Sequence, residues 1–167
     1  MRELYILRHA KSSWDDLTLA DFDRPLNSRG REDAPLMGRH LAKLEIKPDL
    51  ILSSPAKRAK KTAKIVAKEL AYEKKEIEFV EMIYEASVQS LLYLLAQLPK
   101  SAERVMLVGH NPGLTQLANA LGDTMIDNIP TAGVVGIALQ LSKWEESHRA
   151  KGHTILFDYP KKIKDKE

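Results

Sequence analysis

The sequence predicts an α/β fold, a three-layer sandwich with a mostly parallel, mixed sheet and helices on both faces. Three short apolar runs, over 4–7, 50–52 and 105–108, have the length and composition of buried strands. Longer stretches with apolar residues at helical spacing separate these runs. Strands that alternate with helices favour a parallel sheet covered on both sides, and 167 residues suffice for one such domain.

The first half of the chain contains strand and helix patterns in alternation. Met37, Leu41 and Leu44 recur at helical spacing after Gly30, which we expect to open the helix. Pro55 is placed in the first turn of the next helix, where a missing N–H is tolerated. The expected elements are a strand over 3–8, a polar loop over 11–29, the helix from Gly30, a strand over 50–53, a helix after Pro55 and a short strand over 77–80.

The second half continues the alternation and then changes character. We expect a helix over 88–98, a strand over 105–108, a helix over 112–121 and two late strands over 134–141 and 154–157. A polar turn or short helix joins the late strands, which can pair as a hairpin and make the sheet mixed. We predict one domain over 1–160 and a frayed basic tail over 161–167.

The composition excludes several classes of function. The chain has no cysteine, so disulfides, thiolate catalysis and cysteine-ligated metals are excluded, and no His, Asp or Glu spacing is typical of a metal site. No apolar stretch is long enough to span a bilayer, and the N-terminal residues lack a signal-peptide pattern. Aromatic residues are 6% and are not interleaved with basic ones. We expect a cytoplasmic protein with no nucleic-acid or membrane partner.

The formal net charge is +3, and much of the excess lies over 57–75 and in the C-terminal tail. One interpretation is a solvated helix face and a frayed terminus. The alternative is a basic surface that attracts anionic substrates. The sequence leaves both open.

Arginine and histidine follow each of the three predicted buried strands. Arg8 and His9 end the first strand, Arg58 follows the second and His110 follows the third. Open α/β sheets bind ligands at the carboxyl ends of their strands. The pattern therefore predicts an oxyanion pocket of two arginines and two histidines.

These residue types suit phosphoryl transfer. A neutral imidazole can attack phosphorus, which makes His9 the candidate nucleophile, and guanidinium groups hold phosphate oxygens bidentately. His110 can donate to the phosphoryl group, and backbone N–H groups near Pro112 can add to it. Arg24 can line the pocket or brace the preceding loop. Ser12 and Ser13 are candidate donors to the substrate, and Lys11 and the segment 131–133 are further candidates for the pocket border.

Four segments in order carry a family resemblance: 7–14 (LRHAKSSW), 23–30 (DRPLNSRG), 53–59 (SSPAKRA) with Thr62, and 108–113 (VGHNPG). The chain resembles the histidine phosphatase superfamily, whose fold is called phosphoglycerate-mutase-like, and within it the SixA-type phosphohistidine phosphatases. The resemblance implies that His9 is phosphorylated and that Arg8, Arg58 and His110 bind the phosphate. It also implies no metal and no organic cofactor.

The substrate class follows from the resemblance and from the short length. Little of the chain is left for a cap over the pocket, and an open site suits a phosphorylated protein, with phosphohistidine favoured. The alternatives are a phosphatase for small phosphate esters and a module that binds phosphorylated ligands without turnover. The family's usual Arg-His-Gly reads Arg-His-Ala here, with Ala10 in place of glycine.

A general acid is the least defined part of the predicted site. Glu85 is the candidate, with Glu81 close to it, and Asp23 competes although an ion pair with Arg24 is its expected role. Expulsion of an imidazole needs less acid assistance than expulsion of an alkoxide. A missing acid would therefore favour phosphohistidine or aryl phosphates over alkyl phosphates.

Overall fold

A six-stranded mixed sheet lies at the centre of the structure, a computed structural model that describes residues 1–166. The strands are β1 (Arg2–Arg8), β2 (Leu50–Ser53), β3 (Glu78–Phe79), β4 (Arg104–Gly109), β5 (Val134–Leu139) and β6 (His153–Asp158). The helices are α1 (Ser28–Lys43), α2 (Lys57–Glu69), α3 (Val88–Ala96), α4 (Gly113–Leu121) and α5 (Pro160–Lys164). Short 3-10 turns lie at 21–23, 74–76, 81–83 and 144–149. The three-layer α/β prediction is confirmed.

The strand order across the sheet is β3-β2-β4-β1-β5-β6. The first four of these strands are parallel, whereas β5 runs antiparallel to β1 and β6 antiparallel to β5. The late strands therefore form the expected antiparallel pair. The carboxyl ends of β2, β4 and β1 lie side by side at one edge of the sheet.

Two apolar clusters cover the two faces of the sheet. Successive side chains of a strand point to opposite faces. Leu4 and Ile6 of β1 therefore pack with α3 and α4, and Tyr5 and Leu7 pack with α1, α2 and α5. All four of these β1 side chains are buried. The central strand is thus held from both sides, which gives its carboxyl end a rigid position.

The start of α1 differs from the prediction by two residues. The helix begins at Ser28, and the side chain of Asn27 caps it by accepting the N–H of Gly30 at 2.8 Å. Gly30 lies in the first turn, where an added Cβ would overlap the carbonyl oxygen of Lys11. Glycine is needed there because α1 approaches the loop after β1, not because it begins the helix.

Other element ends also shift. Pro55 precedes α2, which begins at Lys57 after Ala56, so the proline lies outside the first turn. The predicted helix over 88–98 ends at Ala96, and the strand over 134–141 ends at Leu139. Within residues 1–166, every helix is too short or too polar to cross a bilayer.

The basic C-terminal segment is not frayed over 160–164, because these residues form α5. Ile163 is only 8% exposed and joins the cluster that α1 and α2 share. The Lys164 Nζ donates to the buried Asp33 of α1 at 2.7 Å. The apolar contact and the ion pair fasten this short helix to the domain, which corrects the prediction of a tail from residue 161.

Candidate active site

An open pocket of about 270 Å³ lies where β1, β2 and β4 end. The backbone ties these ends together, since the His9 N–H donates to the Gly109 carbonyl at 3.1 Å and the Ser54 N–H to the Val108 carbonyl at 2.9 Å. The pocket is lined by Arg8, His9, Lys11, Ser12, Trp14, Arg24, Arg58, His110, Asn111 and Thr131. The structure thus brings together all four residues predicted at the strand ends. Arg24, Lys11, Ser12 and Thr131 border the same space.

The ring of His9 is held in one orientation by the backbone. Its Nδ1 lies 2.7 Å from the Ala10 carbonyl oxygen, which can only accept, so Nδ1 carries the proton. The Nε2 of a neutral ring is then left with a free lone pair. Thr62 fixes this segment, because its Oγ1 accepts the Ala10 N–H at 3.0 Å and donates to the Arg58 carbonyl at 2.8 Å.

Burial keeps both histidines of the pocket neutral. It lowers the pKa of His9 to about 3, even though the hydrogen bond to Ala10 acts in the opposite direction. Burial, followed by the charge of Arg58, lowers the pKa of His110 to about 4. At neutral pH the Nε2 lone pair of His9 is therefore available for nucleophilic attack.

His110 presents one satisfied and one unsatisfied ring nitrogen. Its Nε2 lies 2.7 Å from the hydroxyl oxygen of the buried Ser54, which also accepts the Ala56 N–H at 3.2 Å. Its Nδ1 is buried and has no hydrogen-bond partner among residues 1–166. The His9 and His110 ring centroids are 5.1 Å apart. An unpartnered buried nitrogen this close to His9 is typical of an atom that meets a ligand.

Asp21, which the sequence analysis missed, joins two arginines of the pocket. Its carboxylate accepts from Arg24 Nη1 at 2.8 Å and from Arg58 Nη2 at 3.0 Å, and its backbone carbonyl accepts from Arg58 Nη1 at 2.7 Å. Tyr84 donates its hydroxyl to the same carboxylate at 2.7 Å. The partner of Arg24 is therefore Asp21 and not Asp23. The three-residue spacing between Asp21 and Arg24 was the available sequence signal.

Neither Asp21 nor Tyr84 is a good acid in this arrangement. The hydrogen bond from Tyr84, followed by those from Arg58 and Arg24, lowers the pKa of Asp21 to about 2. The same bond to Asp21 raises the pKa of Tyr84 to about 12. Asp21 is ionised at neutral pH, so it orients the guanidinium groups and holds no proton to give.

Arg24 both lines the pocket and braces the loop before α1, so the two alternatives for its role coexist. Its Nε donates to the Ser13 carbonyl at 3.1 Å, and its Nη2 donates to the Ser12 hydroxyl. The guanidinium carbon lies 3.3 Å from the ring centroid of Trp14, a cation–π contact. The buried Arg24 thereby fixes the loop that forms one wall.

Glu85 does not lie in the pocket. It is exposed, has a positive φ of 57° and borders a separate cleft together with Ser87 and Gln116. This cleft reaches His110 from outside the pocket at the strand ends. Glu81 is also exposed. Among residues 1–166, no aspartate or glutamate lines the pocket at the strand ends.

The charges around the pocket suit a doubly charged anion. Arg8, Lys11, Arg24 and Arg58 contribute four positive charges, and the Asp21 carboxylate removes one, which leaves three beside the neutral histidines. Burial, and then the neighbouring Arg58, lowers the pKa of Arg8 from its ordinary value. Two guanidinium groups held this close together favour a bound anion that offsets their repulsion.

The neutrality of His9 predicts an unusual pH dependence. Its ring must be unprotonated to attack, so activity is lost only as the pH falls through the lowered pKa of about 3. We expect NMR titration of the ring C–H signals to show His9 and His110 neutral down to pH about 5, whereas a histidine in a short peptide titrates near 6.5. A His9 midpoint near 6.5 would contradict this account of the site.

Comparisons with known proteins agree with the geometry. A model of the histidine phosphatase superfamily (branch 1) matches residues 4–91. An uncharacterised chloroplastic protein of Arabidopsis thaliana is 32% identical over 159 residues, which are 90% of this chain and 72% of that protein. The mitochondrial serine/threonine-protein phosphatase PGAM5 of Xenopus tropicalis is 40% identical over 74 residues, 44% of this chain and only 26% of PGAM5.

Solved structures resemble the chain over nearly its whole length. A structure from Agrobacterium tumefaciens, described provisionally as the phosphohistidine phosphatase SixA, is 29% identical with a TM-score of 0.79, and 95% of this chain and 98% of that chain are covered. A structure of the protein histidine phosphatase SixA complexed with tungstate has a TM-score of 0.82 at 22% identity, covering 96% of this chain and 99% of that chain. The second likeness shows a shared fold.

Proposed function

This chain belongs to branch 1 of the histidine phosphatase superfamily, and on that premise we propose that it hydrolyses phosphohistidine on a protein through a phospho-His9 intermediate. One observation carries the choice of substrate. The pocket combines a buried neutral imidazole with three guanidinium groups, and among residues 1–166 it contains no carboxyl group able to donate a proton.

In the first step, His9 Nε2 attacks the phosphorus atom. A bond forms between Nε2 and phosphorus while the substrate N–P bond breaks, and its electron pair stays on the leaving imidazole. The proton on Nδ1 remains with the ring, where the Ala10 carbonyl, 2.7 Å away, stabilises the positive charge that develops. The nucleophile therefore needs no separate base.

The transferring phosphoryl group carries negative charge on three oxygens. Arg8 and Arg58 offer forked donors to these oxygens, and the unpartnered Nδ1 of His110 adds a donor when it holds the ring proton. In that tautomer Nε2 is unprotonated and can accept the hydroxyl proton of Ser54, whose oxygen is 2.7 Å away. Donors oriented in advance lower the barrier because they need no rearrangement during the reaction.

In the second step, water attacks phospho-His9. A P–O bond forms, the Nε2–P bond breaks, and the ring leaves neutral because it still holds the proton on Nδ1. The proton that the water loses passes to the departing phosphate or to solvent. His9 is thereby restored to its starting state.

Phosphohistidine suits a site without a general acid. The second ring nitrogen of the substrate can take a proton from solvent, as a histidine with a pKa near 6.5 does, so the leaving imidazole departs neutral. An alkyl phosphate must expel a strongly basic alkoxide and needs a proton donor. Asp21 is ionised, and Glu85 lies outside the pocket lining. The chemistry of the pocket thus favours an N–P bond in the substrate.

A phosphatase for small phosphate esters is the second candidate. The observation that favours it is the cleft in which Glu85 lies, because this cleft shares His110 and Asn111 with the pocket. A module that binds without turnover is less well supported, since its site would not need a neutral imidazole with a free Nε2.

The proposed function predicts that the rate of hydrolysis depends strongly on the leaving group of the substrate. We expect kcat/KM, measured without added metal, to be highest for a protein chemically phosphorylated on histidine and lower for p-nitrophenyl phosphate. For β-glycerol phosphate, an alkyl phosphate, kcat/KM should be lower than for p-nitrophenyl phosphate by a further factor of about 100 or more. Glu85→Gln should leave the phosphohistidine rate unchanged, because Glu85 is not in the pocket. Spontaneous hydrolysis is subtracted with a sample lacking enzyme. An alkyl phosphate cleaved as fast as phosphohistidine, with a strong dependence on Glu85, would support the small-ester phosphatase instead.

A further inference from the structure

A basic groove of about 350 Å³ lies beside the phosphate pocket. It is lined by Lys57, Lys60, Lys61 and Lys64 of α2 together with Arg31 of α1, and we call it the α2 groove. Pro25 and Leu26 complete its lining and give it an apolar part. Within the described part of the chain, residues 1–166, no acidic residue lines it.

The four lysines occupy one face of α2. Positions 57, 60, 61 and 64 follow the i, i+3, i+4, i+7 spacing that places residues on one side of a helix. The opposite side, with Ala59, Ala63 and Val66, is buried. Helix α2 therefore has one side that packs against the domain and an opposite side that carries an unbroken row of positive charges.

Among residues 1–166, this positive face has no carboxylate partner, although Lys60 Nζ makes a cation–π contact with the Phe79 ring at 5.1 Å. Within residues 1–166, no carboxylate lies within 4.0 Å of these four lysines, whereas Lys162 and Lys164 of α5 are both ion-paired. The first turn of α2 has no acidic residue. Like charges one turn apart, and lysines at the positive end of the helix dipole, both oppose helix formation. Local stability therefore does not explain their placement.

Adjacent residues of the same two chain segments line the α2 groove and the phosphate pocket. Lys57 of the groove directly precedes Arg58 of the pocket, and Pro25 and Leu26 of the groove directly follow Arg24. A chain with its phosphoryl group at His9 would have its neighbouring residues within reach of the groove.

We propose that the α2 groove binds a short acidic stretch that lies beside the phosphohistidine in the protein substrate, an inference that rests on the proposed function. From position 57 to 64 the helix rises about 10 Å. Three residues of extended chain span about 7 Å from the first to the last, and the outer two side chains point to the same side. A run of three acidic residues therefore fits within the length of the lysine face.

The groove fits a polypeptide better than a nucleic acid. Its Pro25 and Leu26, together with the lysine stems, offer apolar contact to the aliphatic part of acidic side chains. None of its lining residues is aromatic, so the stacking on which single-stranded nucleic-acid binding depends is absent from the groove.

Two matched peptides test the proposal. Each contains one phosphohistidine, flanked by three glutamates in one peptide and by three glutamines in the other. At low ionic strength the wild type should show a KM about tenfold lower for the glutamate peptide at similar kcat, and salt should reduce this preference. Lys60→Glu with Lys64→Glu should abolish the preference, while rates on the glutamine peptide and on p-nitrophenyl phosphate stay unchanged.

The control variant carries the same charge change elsewhere. Lys100 and Lys151 are exposed and do not line the groove, so Lys100→Glu with Lys151→Glu should keep the preference. Equal KM values for the two peptides in the wild type, or an equal loss in both double variants, would overturn the proposal.

Failure of the proposed function gives a separate result. If the wild type cleaves neither peptide, the proposed function is wrong. Binding of the unphosphorylated glutamate peptide to the wild type and to both double variants, measured by fluorescence anisotropy, then tests the groove alone. Binding that the groove variant loses and the control variant keeps would still support an acidic ligand. If the wild type does not bind this peptide, the groove is not a site for acidic peptides. The proposal is also refuted if the wild type binds an oligonucleotide of equal charge more tightly than the peptide and the groove variant loses that binding.

Discussion

His9→Ala is expected to abolish turnover of phosphohistidine and p-nitrophenyl phosphate, with a loss in kcat of about 10⁴-fold or more because the covalent route is removed. The wild type, quenched during turnover, should carry one acid-labile phosphoryl group on the peptide that contains His9. Mass spectrometry of the digested protein under alkaline conditions measures this directly.

Two controls separate lost chemistry from a lost fold. Tungstate, as a phosphate mimic, should bind His9→Ala with a dissociation constant within a few-fold of the wild type, because the arginines of the pocket remain. His148→Ala, a change at an exposed histidine, should retain full activity. Turnover by His9→Ala within tenfold of the wild type would show that water attacks the substrate directly and would end the covalent mechanism.

The predicted part of the site is the part that topology determines. Arg8 ends its strand, His9 and His110 directly follow theirs, and parallel strands that are neighbours in the sheet bring their carboxyl ends together. A local motif plus the strand order is enough to place them. Arg58 is reached in the same way through the first turn of α2.

Most of the Asp21 network could not be predicted from the sequence, because only its contact with Arg24 is local. Asp21 meets Arg58 and Tyr84, which are 37 and 63 residues further along the chain. The path of the loop over 11–27 decides which of two nearby aspartates faces the arginines, and apolar periodicity says nothing about a polar loop. Asp23 was the wrong choice for that reason.

The helix α5 illustrates the same limit for the fold. A helix of five residues is not stable by its own propensity. It forms because Ile163 packs against α1 and α2 and Lys164 pairs with Asp33. A run of lysines resembles a solvated terminus until the tertiary structure provides these partners.

Arg58→Ala is expected to lower kcat/KM by about 10² to 10³, the range found when a preoriented donor to a developing charge is removed. Arg58→Lys should recover little of this loss. The two Nη atoms of Arg58 bond to different oxygens of Asp21, at 2.7 and 3.0 Å, and an ammonium group cannot reproduce that fork. Kinetics of both variants on phosphohistidine protein measure the effect, and thermal melts confirm the fold.

Asp21→Asn is the variant to compare with Arg58→Ala. It weakens the ion pair that orients the Arg58 guanidinium but leaves the guanidinium in the pocket. If Asp21 positions the arginines, this variant should lose about tenfold in kcat while KM changes little, since the added positive charge still attracts the anion. Arg58→Ala, in contrast, should raise KM and lower kcat together, because it removes a donor to both the bound and the reacting phosphoryl group. Full activity in Arg58→Lys would refute the need for a fork. An unchanged kcat in Asp21→Asn would show that Arg58 is oriented by the fold alone.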